Sequence, residues 1–160
     1  MMNINRNPQN LKAVLFPENF FEMPDNVLKT NCLNVIDYKY RCYRERDDFN
    51  NPYGSFLTEN LIFTIKASSL NDCSTFYKLM DENRSHPFSI IFDPVFNAYQ
   101  RMTSYKDGMM VEGYVVDIME SCLNDDETGD EQLEVSIVLA LNKISYLGME
   151  NMHELNITND

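Results

Sequence analysis

Apolar and polar residues alternate with period two along most of this chain, in short runs divided by turn residues. Leu11–Phe16 is a brief apolar run that predicts a first strand, ended by Pro17. Pro17 and Pro24 bracket a loop carrying Phe20 and Phe21. Leu33–Tyr43 predicts a half-exposed strand, with Ile36, Tyr38, Tyr40 and Cys42 on one face and Asp37, Lys39 and Arg41 on the other. Leu61–Ala67 places Leu61, Phe63 and Ile65 on one side. Phe88–Phe92 reads as a buried strand stopped by Asp93-Pro94. Tyr99–Tyr105 is a weaker strand, followed by a tight hairpin at Lys106-Asp107-Gly108. Met109–Met119 is a long strand whose methionines, Met109, Met110 and Met119, fit two covered faces. Leu133–Leu141 sets Leu133, Val135, Ile137, Leu139 and Leu141 against Glu134 and Ser136.

One segment breaks the period. Cys73, Phe76, Tyr77, Leu79 and Met80 recur at spacings of three and four, which predicts a helix from Asp72 to Asp81. Glu45–Asn60 has turn residues and no period, which predicts a long loop, and it carries Phe49, Tyr53 and Phe56. Asn124–Glu131 (NDDETGDE) is an acidic turn, and the tail after Gly148 is expected to fray. About seven strands and one helix joined by short links predict a mainly β fold: an antiparallel β-barrel or two packed sheets, with one α-helix at an open edge or end.

The 160 residues suit a single domain over 1–160, with 1–10 and 149–160 expected to be flexible extensions. The net charge is −12, and its distribution is uneven. Residues 1–106 are neutral, whereas 107–160 hold 13 of the 25 acids and one base, Lys143. No clustered basic field exists to displace counterions, so nucleic acid is excluded as a general partner. An anionic membrane surface is excluded on the same ground. No apolar stretch approaches the roughly 18 residues of a membrane span. The start, MMNINRNPQN, lacks a signal-peptide pattern, so the expected site of synthesis and folding is the cytoplasm. Cys32, Cys42, Cys73 and Cys122 have no C-x-x-C spacing and are expected to be reduced core residues.

Candidate chemistry is sparse. His86 and His153 have no nucleophile at an informative offset, and no catalytic residue is assigned. Two isolated His and four scattered Cys do not compose a zinc site. Aligning Gly129 to the sixth position of a calcium loop puts Val135 where a bidentate Glu belongs, so the acidic turn is not an EF-hand. No Gly-rich phosphate loop is present, and no cofactor or metal is expected. What remains points to binding or assembly. A different class of reading is a monomeric β-barrel adaptor or effector chaperone with the aromatic loop as a ligand lid. An enzyme ranks third.

Four blocks carry a resemblance. They are Cys32–Tyr43 with the loop Arg44–Asn60; LIFTIKASSLNDCSTFYKLM (61–80); FSIIFDP (88–94) with MMVEGYVVDIMES (109–121), centred on Glu112-Gly113-Tyr114; and the acidic turn with LEVSIVLALNKISYLG (133–148), ending through Lys143-Ile144. Their order resembles the Hcp (TssD) family, the tube proteins of type VI secretion systems, in its Bacteroidetes branch. Three segments depart from that pattern: a longer N-terminus, Asn97–Lys106, and the acidic tail. The resemblance implies a barrel that assembles into six-membered rings. The rings stack into a tube that is ejected and can carry effectors, with sheath, spike and baseplate proteins as partners. Export would then need no signal peptide. Tube subunits of phage tails and other contractile systems share the plan and stay open as alternatives.

The same resemblance assigns a ring-stacking role to the long loop, with Arg44, Arg46, Phe49, Tyr53 and Phe56 as its contact residues, since aromatics and arginines lead in interface cores. The plain alternative is that these aromatics fold back onto their own subunit. Asp125, Asp126, Glu127, Asp130 and Glu131 form a candidate acidic interface, with Arg41, Arg44 and Arg46 as the counter-surface.

Overall fold

The computed structural model describes residues 13–18, 32–67, 73–124, 131–147 and 152–156. It contains β1 (Ala13–Phe16), β2 (Leu33–Lys39), β3 (Cys42–Arg46), β4 (Pro52–Thr58), β5 (Leu61–Ala67), α1 (Ser74–Glu82), β6 (His86–Phe92), β7 (Val95–Phe96), β8 (Met102–Ser104), β9 (Asp107–Asn124), β10 (Glu131–Leu147) and β11 (Met152–Asn156). Six strands in the order β10-β5-β2-β1-β6-β9 close on themselves through β9–β10, and every pairing is antiparallel. Closure joins the two outer strands of the six, which limits the exposed edge at which an all-β chain would aggregate.

Alternation fills the interior. Leu61, Phe63, Ile65 and Ala67 of β5 face Val135, Ile137, Leu139 and Leu141 of β10, and all are buried. α1 is amphipathic along a narrow stripe, Cys73, Phe76 and Leu79, and it plugs the barrel. The Phe76 ring stacks on Phe88 at 5.7 Å and tilts against Phe63 at 5.9 Å. Burying such a ring contributes about 2–3 kcal/mol. The helix ends where Asn83 takes a left-handed conformation, φ 48°, a common C-terminal stop. Met80 and Tyr77, expected on the apolar face, are partly exposed at its margin.

Three bulges re-aim side chains. On β2 the register passes from Val35↔Ile65 to Asp37↔Thr64, so Ile36 is an extra residue. The parity of the strand therefore changes there: Leu33 and Val35 point inward before it, Tyr38, Tyr40 and Cys42 after it. Ile36, expected on the same face as Tyr38, is instead 51% exposed. Val116 on β9 and Asn142 on β10 are the other extra residues. Beyond Val116 the outer face of β9 is uncovered, and Met119 is 64% exposed rather than packed. Met109 and Met110 do lie under two covered faces. Met110 joins Val14, Phe16 and Ile91 in a second apolar cluster outside the barrel, shielded by Cys32, Met102 and Tyr105.

One expected loop, one expected turn and the expected fraying tail are organised differently. Glu45–Asn60 is not an irregular loop: β3 and β4 pair as a separate two-stranded hairpin. Asp107-Gly108 is not a hairpin turn either. Both residues lie in β9, paired to Phe92 and Ile91 of β6. The chain reverses earlier, through a small β7–β8 hairpin, and Lys106 N–H donates to Phe92 O at 3.0 Å to close the excursion. The tail does not fray throughout, since β11 pairs with Lys143–Leu147 of β10. Of the four free thiols, Cys73 alone is fully buried and Cys122 is exposed.

Candidate functional site: the arginine-bearing hairpin

β3 and β4 leave the barrel as an arm. Its root is tied twice between residues 41 and 59: Glu59 N–H donates to Arg41 O at 2.8 Å, and the Arg41 guanidinium meets the Glu59 carboxylate at 3.1 Å. Arg41 also lies over the Tyr43 ring, 5.0 Å from its centroid. At the tip, Asp47 organises the turn. Its Oδ1 accepts from Phe49 N–H at 3.0 Å and Asn51 N–H at 2.8 Å. Its backbone exchanges bonds with Asn51 and Asn50, each 2.9 Å. Asn50 takes φ 64°, a conformation that Asn tolerates better than most residues.

The side chains named by the sequence meet on this arm. Arg44 donates to Gly54 O and Arg46 to Asn50 Oδ1, each at 3.1 Å. Both acceptors are neutral, so neither guanidinium charge is cancelled by an ion pair among the described residues. Arg41, Cys42, Tyr43, Arg44 and Arg46 together line an open groove of about 780 Å³. Tyr53 donates to Glu45 Oε2 at 3.0 Å, and that bond pushes the phenol pKa up. Burial likewise raises the Cys42 thiol, which keeps it protonated and unreactive. Phe49 is 87% exposed and stands clear of its own subunit, whereas Tyr53 is half exposed and leans on Glu45 of the same arm. Phe56 lies in β4, and its side chain is outside the described residues. Gly54, at φ 73°, sits where the partner of β3 jumps from Leu57 to Tyr53 and β4 is irregular.

The second candidate surface is less well placed. Asp125, Asp126, Glu127 and Asp130 lie outside the described residues, and Glu131 opens β10 opposite Asn124. His86 opens β6; its Nε2 bonds Pro17 O at 2.8 Å and its ring edge meets Phe88 at 5.1 Å. Ser89 Oγ donates to Glu18 O at 2.7 Å beside it. These bonds pin the chain after β1 and are structural. Among the described residues no three His, Cys, Asp or Glu side chains converge as metal ligands. No helix among them is long and apolar enough to cross a membrane.

Sequence reasoning missed one feature, the turn at 97–101. Its signal was Asn97 followed three residues later by Gln100, an Asx residue paired with a position that adopts φ 61°.

A closed antiparallel barrel plugged by one helix is a fold that this chain shares with solved Hcp proteins. The chain superposes on a crystal structure of an Hcp protein with a TM-score of 0.68 and 8% identity, over 94% of this chain and 99% of that one. A variant of Hcp1 from the E. coli EAEC 042 pathovar gives 0.63 and 12%, over 91% and 98%. Hcp1 from Flavobacterium johnsoniae gives 0.55 and 14%, over 90% and 99%. No protein-family model matches the sequence, and no curated protein matches it.

Proposed function

We propose that this chain is a structural subunit of a type VI secretion inner tube, and that its copies form stacked six-membered rings. The observation that carries the reading is the fold. The superposition with an Hcp protein covers 94% of this chain and 99% of that one. The work of such a subunit is assembly. Binding energy comes from apolar and aromatic groups placed where another copy covers them, and charge sets the register of contact.

The arm supports the reading by its exposure. A side chain like Phe49, held out by a rigid turn, loses little conformational entropy on docking and removes a large apolar area from water. Arg44 and Arg46 beside it supply the positive half of a contact whose negative half is the acidic last third of a neighbour. Sheath, spike and baseplate proteins are the further partners on this reading, with effector cargo inside the ring and export through the apparatus. The single domain spans 1–160, and Asp125–Glu131 is the acidic part of the ring contact.

Native mass spectrometry and negative-stain microscopy test this together. Six copies of 18.7 kDa give a ring of about 112 kDa. Rings of that mass with a central hole are the expected result. A strict monomer at high concentration would overturn the tube reading in favour of a β-barrel adaptor.

A further inference from the structure

Beyond Leu139, β10 changes its pairing partner. β5 accompanies it only from Leu133↔Ala67 to Leu139↔Leu61, whereas β10 runs on to Leu147. β9 lies along the other side of β10 throughout, so the edge left open is Lys143–Leu147. β11 fills that edge, with Lys143 opposite Asn156 and Leu147 opposite Met152. The continuation of the sheet is a different strand. β4 precedes β5 in the chain, and the ladder that joins β5 to β2 carries on into the arm. It passes from Lys39↔Ile62 through the Glu59 N–H bond to Arg41 O and on to Cys42↔Thr58. β4 is thus paired on its β3 side. Its other edge continues the β5 edge that faces β10, and it pairs with no strand among the described residues.

Two strands therefore fit one edge. Counting back from Leu61↔Leu139, and allowing for the extra residue Asn142, sets Thr58 opposite Lys143, Leu57 opposite Ile144 and Gly54 opposite Leu147. The residues from Lys143 to Leu147 are the ones that β11 holds. The faces agree too. Ile144 is buried on the core side; Leu155 stands opposite it in β11, and Leu57 takes that position in β4. An open strand edge recruits a strand that reaches it in register, because its N–H and C=O groups otherwise lack partners. We propose that β11 is a wedge. While it holds Lys143–Leu147 the arm stands free; when it leaves, β4 zips onto the same edge and the arm folds along the barrel. The β3–β4 ladder is kept in both states, because β4 uses its other edge. The consequence for ring stacking rests on the tube reading, since the arm is the proposed contact, whereas the strand exchange itself does not.

Hydrogen exchange read by mass spectrometry tests it on the full chain. The variant Glu154→Pro, Leu155→Pro releases β11: successive amides of a strand point to opposite edges, so one of the two missing N–H groups faces β10. Exchange at residues 54–58 is expected to slow roughly tenfold relative to the parent, while residues 143–147 keep their protection because one strand replaces the other. Pull-down of tagged rings is expected to fall in the same variant. That combination separates the exchange from assembly, which would protect the arm and raise pull-down together. If circular dichroism shows that the proline pair unfolds the barrel, Leu155→Gly weakens β11 more gently and is read in the same way. If residues 143–147 lose protection and 54–58 gain none, the wedge falls and the tube reading stands. If 54–58 gain protection but neither parent nor variant forms rings, the wedge stands and the tube reading falls.

Discussion

Gly113 of β9 passes Ala140 of β10 so closely that a Cβ on Gly113 would lie 2.5 Å from the Ala140 carbonyl oxygen. The atom it would meet is backbone, which cannot swing aside. The contact sits between the Val116 and Asn142 bulges, where the two longest strands bend round the barrel. Gly113→Ala is therefore expected to destabilise the fold by about 1–3 kcal/mol. For a chain of this size each kcal/mol lowers the melting temperature by about 2–4 °C. Thermal unfolding by circular dichroism checks this, and an unchanged midpoint would contradict the close approach.

The helix plug gives a larger effect. Phe76 is wholly buried between Phe63 and Phe88. Phe76→Ala is expected to cost about 3–5 kcal/mol, the usual loss for a buried ring. Denaturant unfolding should move to a lower midpoint with little change in slope.

At the tip of the arm, stability and assembly should separate. Phe49 and Tyr53 are exposed, so the double variant Phe49→Ala, Tyr53→Ala should unfold within about 0.5 kcal/mol of the parent. Pull-down of tagged rings by untagged ones should fall sharply in the same variant. Stacking equal to that of the parent would remove the arm as a ring contact.

Tyr77 donates to the carboxylate of Glu120, and that bond, with a smaller contribution from desolvation, pushes its pKa up to about 12. The folded state thus holds this proton more tightly than the unfolded one. The stabilisation is fully present below about pH 10 and is lost as pH rises from there through about 12. Ultraviolet titration of the phenolates should contain one late component that Tyr77→Phe removes and Glu120→Gln moves to lower pH. A late component unaffected by either change would rule out the assignment.

Assembly should depend on salt in an uncommon direction. With −12 per copy, a six-membered ring gathers about −72, and the repulsion is long-range. Raising ionic strength from 0.01 to 0.15 M shortens the screening length from about 30 to about 8 Å. Ring association measured by analytical ultracentrifugation should strengthen across that range, because distant repulsion is screened before close contacts are. Association that is flat with salt would mean that the acids do not face one another.

Much of the barrel was legible from period two alone. In β5 and the first half of β10, alternation maps directly onto burial, because one face of a closed sheet must be apolar. The helix was legible for the same reason at another period. The long aromatic segment was misread as a loop, because a hairpin standing away from the core buries neither face and so shows no alternation. Phe49 stands out in the sequence because it lies among Asp47, Asp48, Asn50 and Asn51, and the structure leaves it exposed.

Local sequence thus determined most of the inward strand faces, the helix plug, and the neutral and acidic parts of the chain. Tertiary structure decided the rest. Bulges reversed the parity at Ile36 and uncovered Met119, because one extra residue is absorbed by the partner strand and not by any local preference. The Asp-Gly pair at Asp107-Gly108, a turn signal in isolation, became the start of β9, because pairing with β6 satisfied its backbone and the chain had already reversed at Asn97. The likeness of the turns at 47–51 and 97–101 appears only in three dimensions. Two unlike sequences, DDFNN and NAYQR, reach the same turn because an Asx side chain and one left-handed residue are all that its hydrogen bonds require.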